Sequence, residues 1–176
     1  MICLTLTENS IESNLKVLEK NRHLIDMAEL RLDMLCDPLA VDPGIIKSKF
    51  ELPLIITYRK KIDGGRYEGT ESYRRDVLYS YAKVGFDFID LELGSSFPEV
   101  EKAALENKTR IIRSYHNFME VPDDLDTVIR ELASGPYEIP KAAVYCGGSS
   151  ETLKFFKVFN KIKDIKDKII LGMGEF

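Results

Sequence analysis

The chain has 176 residues, 44% of them hydrophobic and 31% charged, with a net charge of −4. This length and balance suit one globular domain, residues 1–176, with a real core. Without a basic block the acidic balance argues against nucleic-acid and membrane-surface binding, and no run approaches the roughly 18 apolar residues of a membrane helix.

Cys3, Cys36 and Cys146 lack metal or disulfide spacing and suit a reducing cytosol. The N-terminus lacks the regions of a signal peptide, so a cytoplasmic protein is expected. Two histidines leave little scope for a His-based metal site, and none is predicted.

Short apolar or β-branched runs begin near Ile2, Met27, Pro53, Phe88, Arg110, Lys141 and Ile169. Helical spacing fills the gaps between them. Ser10 can cap a helix carrying Ile11, Leu15 and Leu18. Asp42-Pro43 opens one with Ile45, Ile46 and Phe50. Tyr73, Val77, Tyr81 and Val84 form a stripe that stops at Gly85, and a shorter face surrounds Val100 and Ala104. Leu125, Val128, Ile129 and Leu132 form a stripe that stops at Gly135. Leu153, Phe156, Phe159 and Ile162 make the last helical face.

Strands alternating with helices imply parallel strands joined by right-handed crossovers, in an open doubly wound sheet or a β/α barrel. The turn after the first strand, Leu6-Thr7-Glu8-Asn9-Ser10, has none of the glycines an open nucleotide-binding sheet advertises. In Glu29-Leu30-Arg31-Leu32-Asp33 and Asp90-Leu91-Glu92-Leu93, charge and leucine alternate. Period two puts the charges on one face and the leucines on the other. A barrel strand needs an apolar outer face and can hold polar groups inside, whereas a sheet covered on both faces expects continuous apolar runs. The pattern predicts a barrel.

Barrel sites lie at the C-terminal ends of the strands. Glu29, Arg31, Arg59, Asp90, Glu92 and His116 can converge there with Lys141. Lys141 stands in the apolar run Ile139-Pro140-Lys141-Ala142-Ala143-Val144-Tyr145-Cys146. Surface lysines are the commoner case, but a buried amine is disfavoured when charged and becomes a nucleophile toward a carbonyl. An imidazole can move protons near neutral pH, so amine attack to give an iminium, followed by proton transfer through His116, is the predicted chemistry. Arg113 points away from His116 by strand alternation and is left out of the site. Gly64 and Gly65, after Arg59, permit a tight loop that faces an anion.

These segments together resemble the type I 3-dehydroquinate dehydratases. Glu29-Leu30-Arg31-Leu32-Asp33 is similar to the family's E-x-R-x-D strand. Thr57-Tyr58-Arg59 with Asp63-Gly64-Gly65 resembles T-[FY]-R…E-G-G, and Asp90-Leu91-Glu92 resembles D-x-E. Ser114-Tyr115-His116-Asn117-Phe118 resembles S-x-H-[DN]-F, Pro140-Lys141 with Ala143-Val144 resembles P-K-x-A-V, and Met173-Gly174 resembles the M-G of the seventh strand. Each piece alone is weak; six in order are specific.

The resemblance implies an α/β fold of the (β/α)8 TIM-barrel type and dehydration of 3-dehydroquinate to 3-dehydroshikimate. Lys141 would form the imine, and His116 would take the C2 proton and protonate the leaving hydroxyl. Asp63 stands where the family has a glutamate thought to orient the histidine, one methylene shorter. Glu29, Arg31 and Arg59 would hold substrate hydroxyls, Asp90 and Glu92 would set the charge around Lys141, and Met173 would complete the substrate site. No metal or organic cofactor is implied, and the partners expected are the small-molecule substrate and a second copy in a homodimer. The chain reaches Phe176 on the seventh strand, so about seven strands are expected, without the family's final helix-strand-helix and its carboxylate-binding arginine. Weak turnover is expected on that ground. The alternatives are another Schiff-base barrel enzyme, such as an aldolase, or a non-catalytic barrel scaffold.

Overall fold

The computed structural model describes residues 1–133, 135 and 137–174. The expected alternation is present: β1 (Cys3–Leu6), α1 (Ile11–Asn21), β2 (Met27–Arg31), α2 (Pro43–Lys49), β3 (Leu54–Thr57), α3 (Glu71–Ala82), β4 (Phe88–Glu92), α4 (Pro98–Glu106), β5 (Arg110–Asn117), α5 (Leu125–Leu132), β6 (Glu138–Tyr145), α6 (Ser149–Lys161) and β7 (Ile169–Met173). Local chemistry accounts for several boundaries. Ser10 accepts from the Ser13 N–H at 3.2 Å, and Asp42 accepts from the Gly44 N–H at 2.8 Å with Pro43 opening α2. Gly85, with φ of 76°, follows the end of α3 in the left-handed conformation that stops a helix.

The chain divides into two compact units. The first comprises Met1–Asp90 and Ser96–Ile111, the second Leu91–Ser95 and Ile112–Phe176. In the first, the strand order is β1-β2-β3-β4 and every pairing is parallel. Leu6, Leu30, Ile56, Leu78 and Tyr81 are fully buried there. The register sets Arg31, Thr57 and Asp90 side by side, and Thr5, Glu29 and Ile55 two residues below. Paired residues share a face, so one face of this sheet carries a polar row while Ala28, Leu30, Ile56 and Ile89 fill the other.

In the second unit β6 pairs parallel with β7, and the Leu93 N–H donates to the Ser114 carbonyl at 2.7 Å. Val121, Leu125, Ile129, Ala142, Val144, Cys146, Val158 and Ile162 form its core, with Tyr115 and Phe155 packed against it. Ala142 and Val144 therefore face this core, and Lys141 and Ala143 the opposite side of β6.

Four details differ from the sequence reading. Asp33 does not continue β2: the strand ends at Arg31, and Leu32–Met34 form a 3₁₀ turn. Leu93 lies beyond β4 and is 48% exposed, so the alternation stops at Glu92. β6 starts at Glu138, which puts Lys141 inside the strand; pairing with β7 begins only at Lys141, so the missing N–H of Pro140 breaks no β7 ladder bond. Finally, Leu153, Phe156 and Phe159 of α6 are exposed, and the inward face is Phe155, Val158 and Ile162. Both stripes are apolar and helically spaced, so periodicity alone does not choose between them.

Candidate active site

In the first unit, the polar face of β2, β3 and β4 is tied together by side chains. Glu29 accepts from the Thr57 hydroxyl at 2.7 Å and from the Thr5 hydroxyl at 3.1 Å. Arg59 donates through Nη2 to Asp90 Oδ2 at 2.8 Å, with side-chain exposures of 4% and 0%. Arg31 forks onto Asp33, Nε to Oδ1 at 2.8 Å and Nη2 to Oδ2 at 2.6 Å. Of the residues singled out from sequence, Glu29, Arg31, Arg59 and Asp90 are thus brought to one face.

Asp63 stands in the loop after β3, at the end of a 3₁₀ turn, with the Lys60 ammonium 3.7 Å away. The loop is closed by its own backbone: Tyr67 N–H donates to Arg59 O at 3.2 Å and Lys61 N–H to Tyr67 O at 2.9 Å. Gly64 adopts φ of 80°, and a Cβ on Gly65 would collide with the Arg59 carbonyl. Both glycines of the motif are required by this geometry.

A layer behind the loop holds it. The rings of Tyr58 and Tyr67 lie 4.5 Å apart between centroids, and Tyr67 donates to Thr70 O at 2.6 Å. Burial, with Tyr67 second, pushes the Tyr58 hydroxyl well above the ordinary tyrosine range. Arg74, fully buried on α3, donates to Tyr58 O at 3.2 Å and lies over the Phe97 ring. Thr57, Asp33 and Arg74 were not singled out as site residues from sequence. Thr57 and Asp33 stood inside the quoted motifs, whereas an arginine on an amphipathic helix gives no such signal.

In the second unit, Lys141 is 9% exposed within an otherwise apolar stretch of β6. Glu92 is 2% exposed at the end of β4. His116 lies near the end of β5, its Nδ1 buried and its ring stacked on Phe118 at 6.2 Å between centroids. Arg113 is engaged elsewhere: its Nε donates to Glu138 at 2.7 Å. Met173 pairs with Tyr145, four residues beyond the Lys141–Ile169 pair, about 13 Å along the strand. The Met173 carbonyl accepts from the Cys146 N–H at 2.7 Å. Among the described residues no cluster of His, Cys, Asp or Glu is arranged to hold a metal ion. No helix among the described residues is long and apolar enough to cross a membrane.

The family described as type I 3-dehydroquinase matches residues 2–176. The 3-dehydroquinate dehydratase of Methanocaldococcus jannaschii is 34% identical over 180 residues, covering 99% of this chain and 79% of that protein. The chloroplastic bifunctional 3-dehydroquinate dehydratase/shikimate dehydrogenase of Arabidopsis thaliana is 33% identical over 98% of this chain, which spans only 30% of that protein's length. The crystal structure of type I 3-dehydroquinate dehydratase from Clostridium difficile aligns with a TM-score of 0.86 at 22% identity, over 98% of this chain and 74% of that one. The last likeness shows the fold: the TIM-barrel-like α/β fold of that enzyme, with seven strands among the described residues.

Proposed function

The chain belongs to the type I 3-dehydroquinase family, and from that premise we propose that it dehydrates 3-dehydroquinate to 3-dehydroshikimate through an imine on Lys141. The observation that carries this reading is the burial of Lys141, an amine at 9% exposure in an otherwise apolar stretch of β6. A lysine amine is the nucleophile that forms an imine with a ketone.

The Lys141 amine adds to the substrate ketone, and loss of water from the carbinolamine leaves an iminium. The iminium acidifies the adjacent C2, and His116 takes that proton. The same proton passes to the departing hydroxyl, which leaves as water. Hydrolysis of the product imine frees Lys141, so the net change is loss of one water. The motif match gives Asp63 the part of the residue that orients His116. Glu29, Arg31 and Arg59 hold the substrate hydroxyls, Asp90 and Glu92 set the charge around Lys141, and Met173 completes the substrate site. These roles rest on the motif matches.

We read the protein further as a cytoplasmic homodimer. The exposed thiols of Cys3 and Cys36 support a reducing compartment, and exposed Leu153, Phe156 and Phe159 on α6 support a partner surface.

The test is borohydride trapping. Protein incubated with 3-dehydroquinate and borohydride is weighed and mapped. A stable adduct on Lys141, absent from Lys141→Ala, is the expected result. No adduct, together with no dehydroshikimate absorbance, sinks the reading.

A further inference from the structure

Asp33 carries more hydrogen bonds than a motif aspartate at a strand end needs. Its side chain is fully buried. Oδ1 accepts from Arg31 Nε at 2.8 Å and from the Arg59 backbone N–H at 3.2 Å. Oδ2 accepts from Arg31 Nη2 at 2.6 Å and from the Arg66 backbone N–H at 3.0 Å. A carboxylate offers about four acceptor positions, and all are filled. The two amides flank the loop that carries Asp63, one on either side.

We propose that Asp33 is a positioning residue for the dehydration: it aims the Arg31 guanidinium and pins both ends of the Arg59–Arg66 loop. The inference rests on the proposed dehydratase reading for what these groups do once placed. Its geometry stands apart from that reading. Asp33 acts through Arg31 and the loop, not by touching substrate.

The arrangement follows from the 3₁₀ turn at Leu32–Met34. Had β2 continued, residues 31 and 33 would project side by side about 6.6 Å apart along the strand. The turn instead brings the carboxylate onto the Nε/Nη2 edge of the guanidinium two residues before it. That edge is committed to Asp33, while Nη1 makes no hydrogen bond among the described residues. The fork removes rotamer freedom that a long side chain otherwise loses on binding, and it presents the remaining N–H groups in one direction. Charge-assisted bonds to two amides are also stronger than neutral ones. Burial keeps water from competing for any of the four.

The experiment has two arms. In the wild-type protein, amide exchange at Arg59 and Arg66 is compared with that at Ile62 between them, since the Asp63 N–H is itself bonded to the Lys60 carbonyl. Slow exchange at the two flanking amides is expected, with protection falling at least ~10-fold in Asp33→Asn, since an amide offers one acceptor oxygen where the carboxylate offered two. In kinetics, Asp33→Asn is expected to raise the KM for 3-dehydroquinate ~10-fold or more, with kcat changed less than ~3-fold, because ground-state and transition-state binding are lost together. A variant damaged only in stability would lose active fraction and show the reverse split. Flanking amides that exchange as fast as Ile62 in the wild type overturn the proposal even if the variant fails to fold. So does a KM within ~2-fold of wild type. A wild type with neither turnover nor a Lys141 adduct overturns the dehydratase reading, and the exchange arm then still decides whether Asp33 holds these groups.

Discussion

Arg59 and Asp90 form a buried ion pair, Nη2 to Oδ2 at 2.8 Å, linking the chain just past β3 to β4. Removing one partner leaves a charge without water and without its counter-charge. Asp90→Ala is therefore expected to destabilise the protein by about 3–5 kcal/mol. Replacing both members, Arg59→Met with Asp90→Leu, should recover most of that loss, because desolvation of the two charges is avoided. The recovered double variant should still bind substrate poorly. Denaturant midpoints and KM on the wild type and the two variants check this, and a double variant no more stable than Asp90→Ala contradicts it.

The two loop glycines should respond differently to alanine. Gly64 holds a left-handed φ of 80°, so Gly64→Ala should cost about 1–2 kcal/mol. Gly65 faces the Arg59 carbonyl, a backbone atom tied to the Tyr67 N–H, which cannot turn aside as a side chain does. Gly65→Ala must displace the loop and should cost a further ~1–3 kcal/mol. It should also depress kcat by displacing Asp63. Equal midpoints for the two variants would contradict the geometry.

Asp164 provides the pH dependence. The Arg130 guanidinium grips it through both carboxylate oxygens, at 2.7 and 2.8 Å, and holds its pKa down to about 2 from the ordinary 3.8. A depressed folded-state pKa means stabilisation that is complete above the unfolded value and lost as pH falls through the folded one. Asp164→Asn should thus lower Tm at neutral pH, and the gap to wild type should close between about pH 4 and pH 2. The pair is solvent-exposed, so the gap is small and shrinks in high salt. Thermal melts at three pH values decide it; a gap that widens on acidification is the contrary result.

Much of the architecture is legible in the chain. The helix starts at Ser10 and Asp42 follow from capping chemistry, and the stop at Gly85 from backbone freedom. The alternation of charge and leucine in β2 and β4 puts Glu29, Arg31 and Asp90 opposite Leu30 and Leu91, because a strand has period two whatever surrounds it. The six ordered motifs identify the family and single out Lys141 and His116. All of these depend on residues near one another in sequence or on residue type.

What the chain alone leaves open depends on contacts between distant segments. Leu153, Phe156 and Phe159 form as good an apolar stripe as Phe155, Val158 and Ile162, and only packing against β6 and α5 selects the second. Arg74 looks like a solvated helix residue until Tyr58, Glu71 and Phe97 enclose it. Asp33 reads as one more strand carboxylate, yet a single turn of backbone after Arg31 gives it two amides from the following loop. Periodicity determines which side chains share a face. Which face is buried, and which distant donor reaches which acceptor, was decided only when the tertiary structure removed water from one set of partners and supplied another.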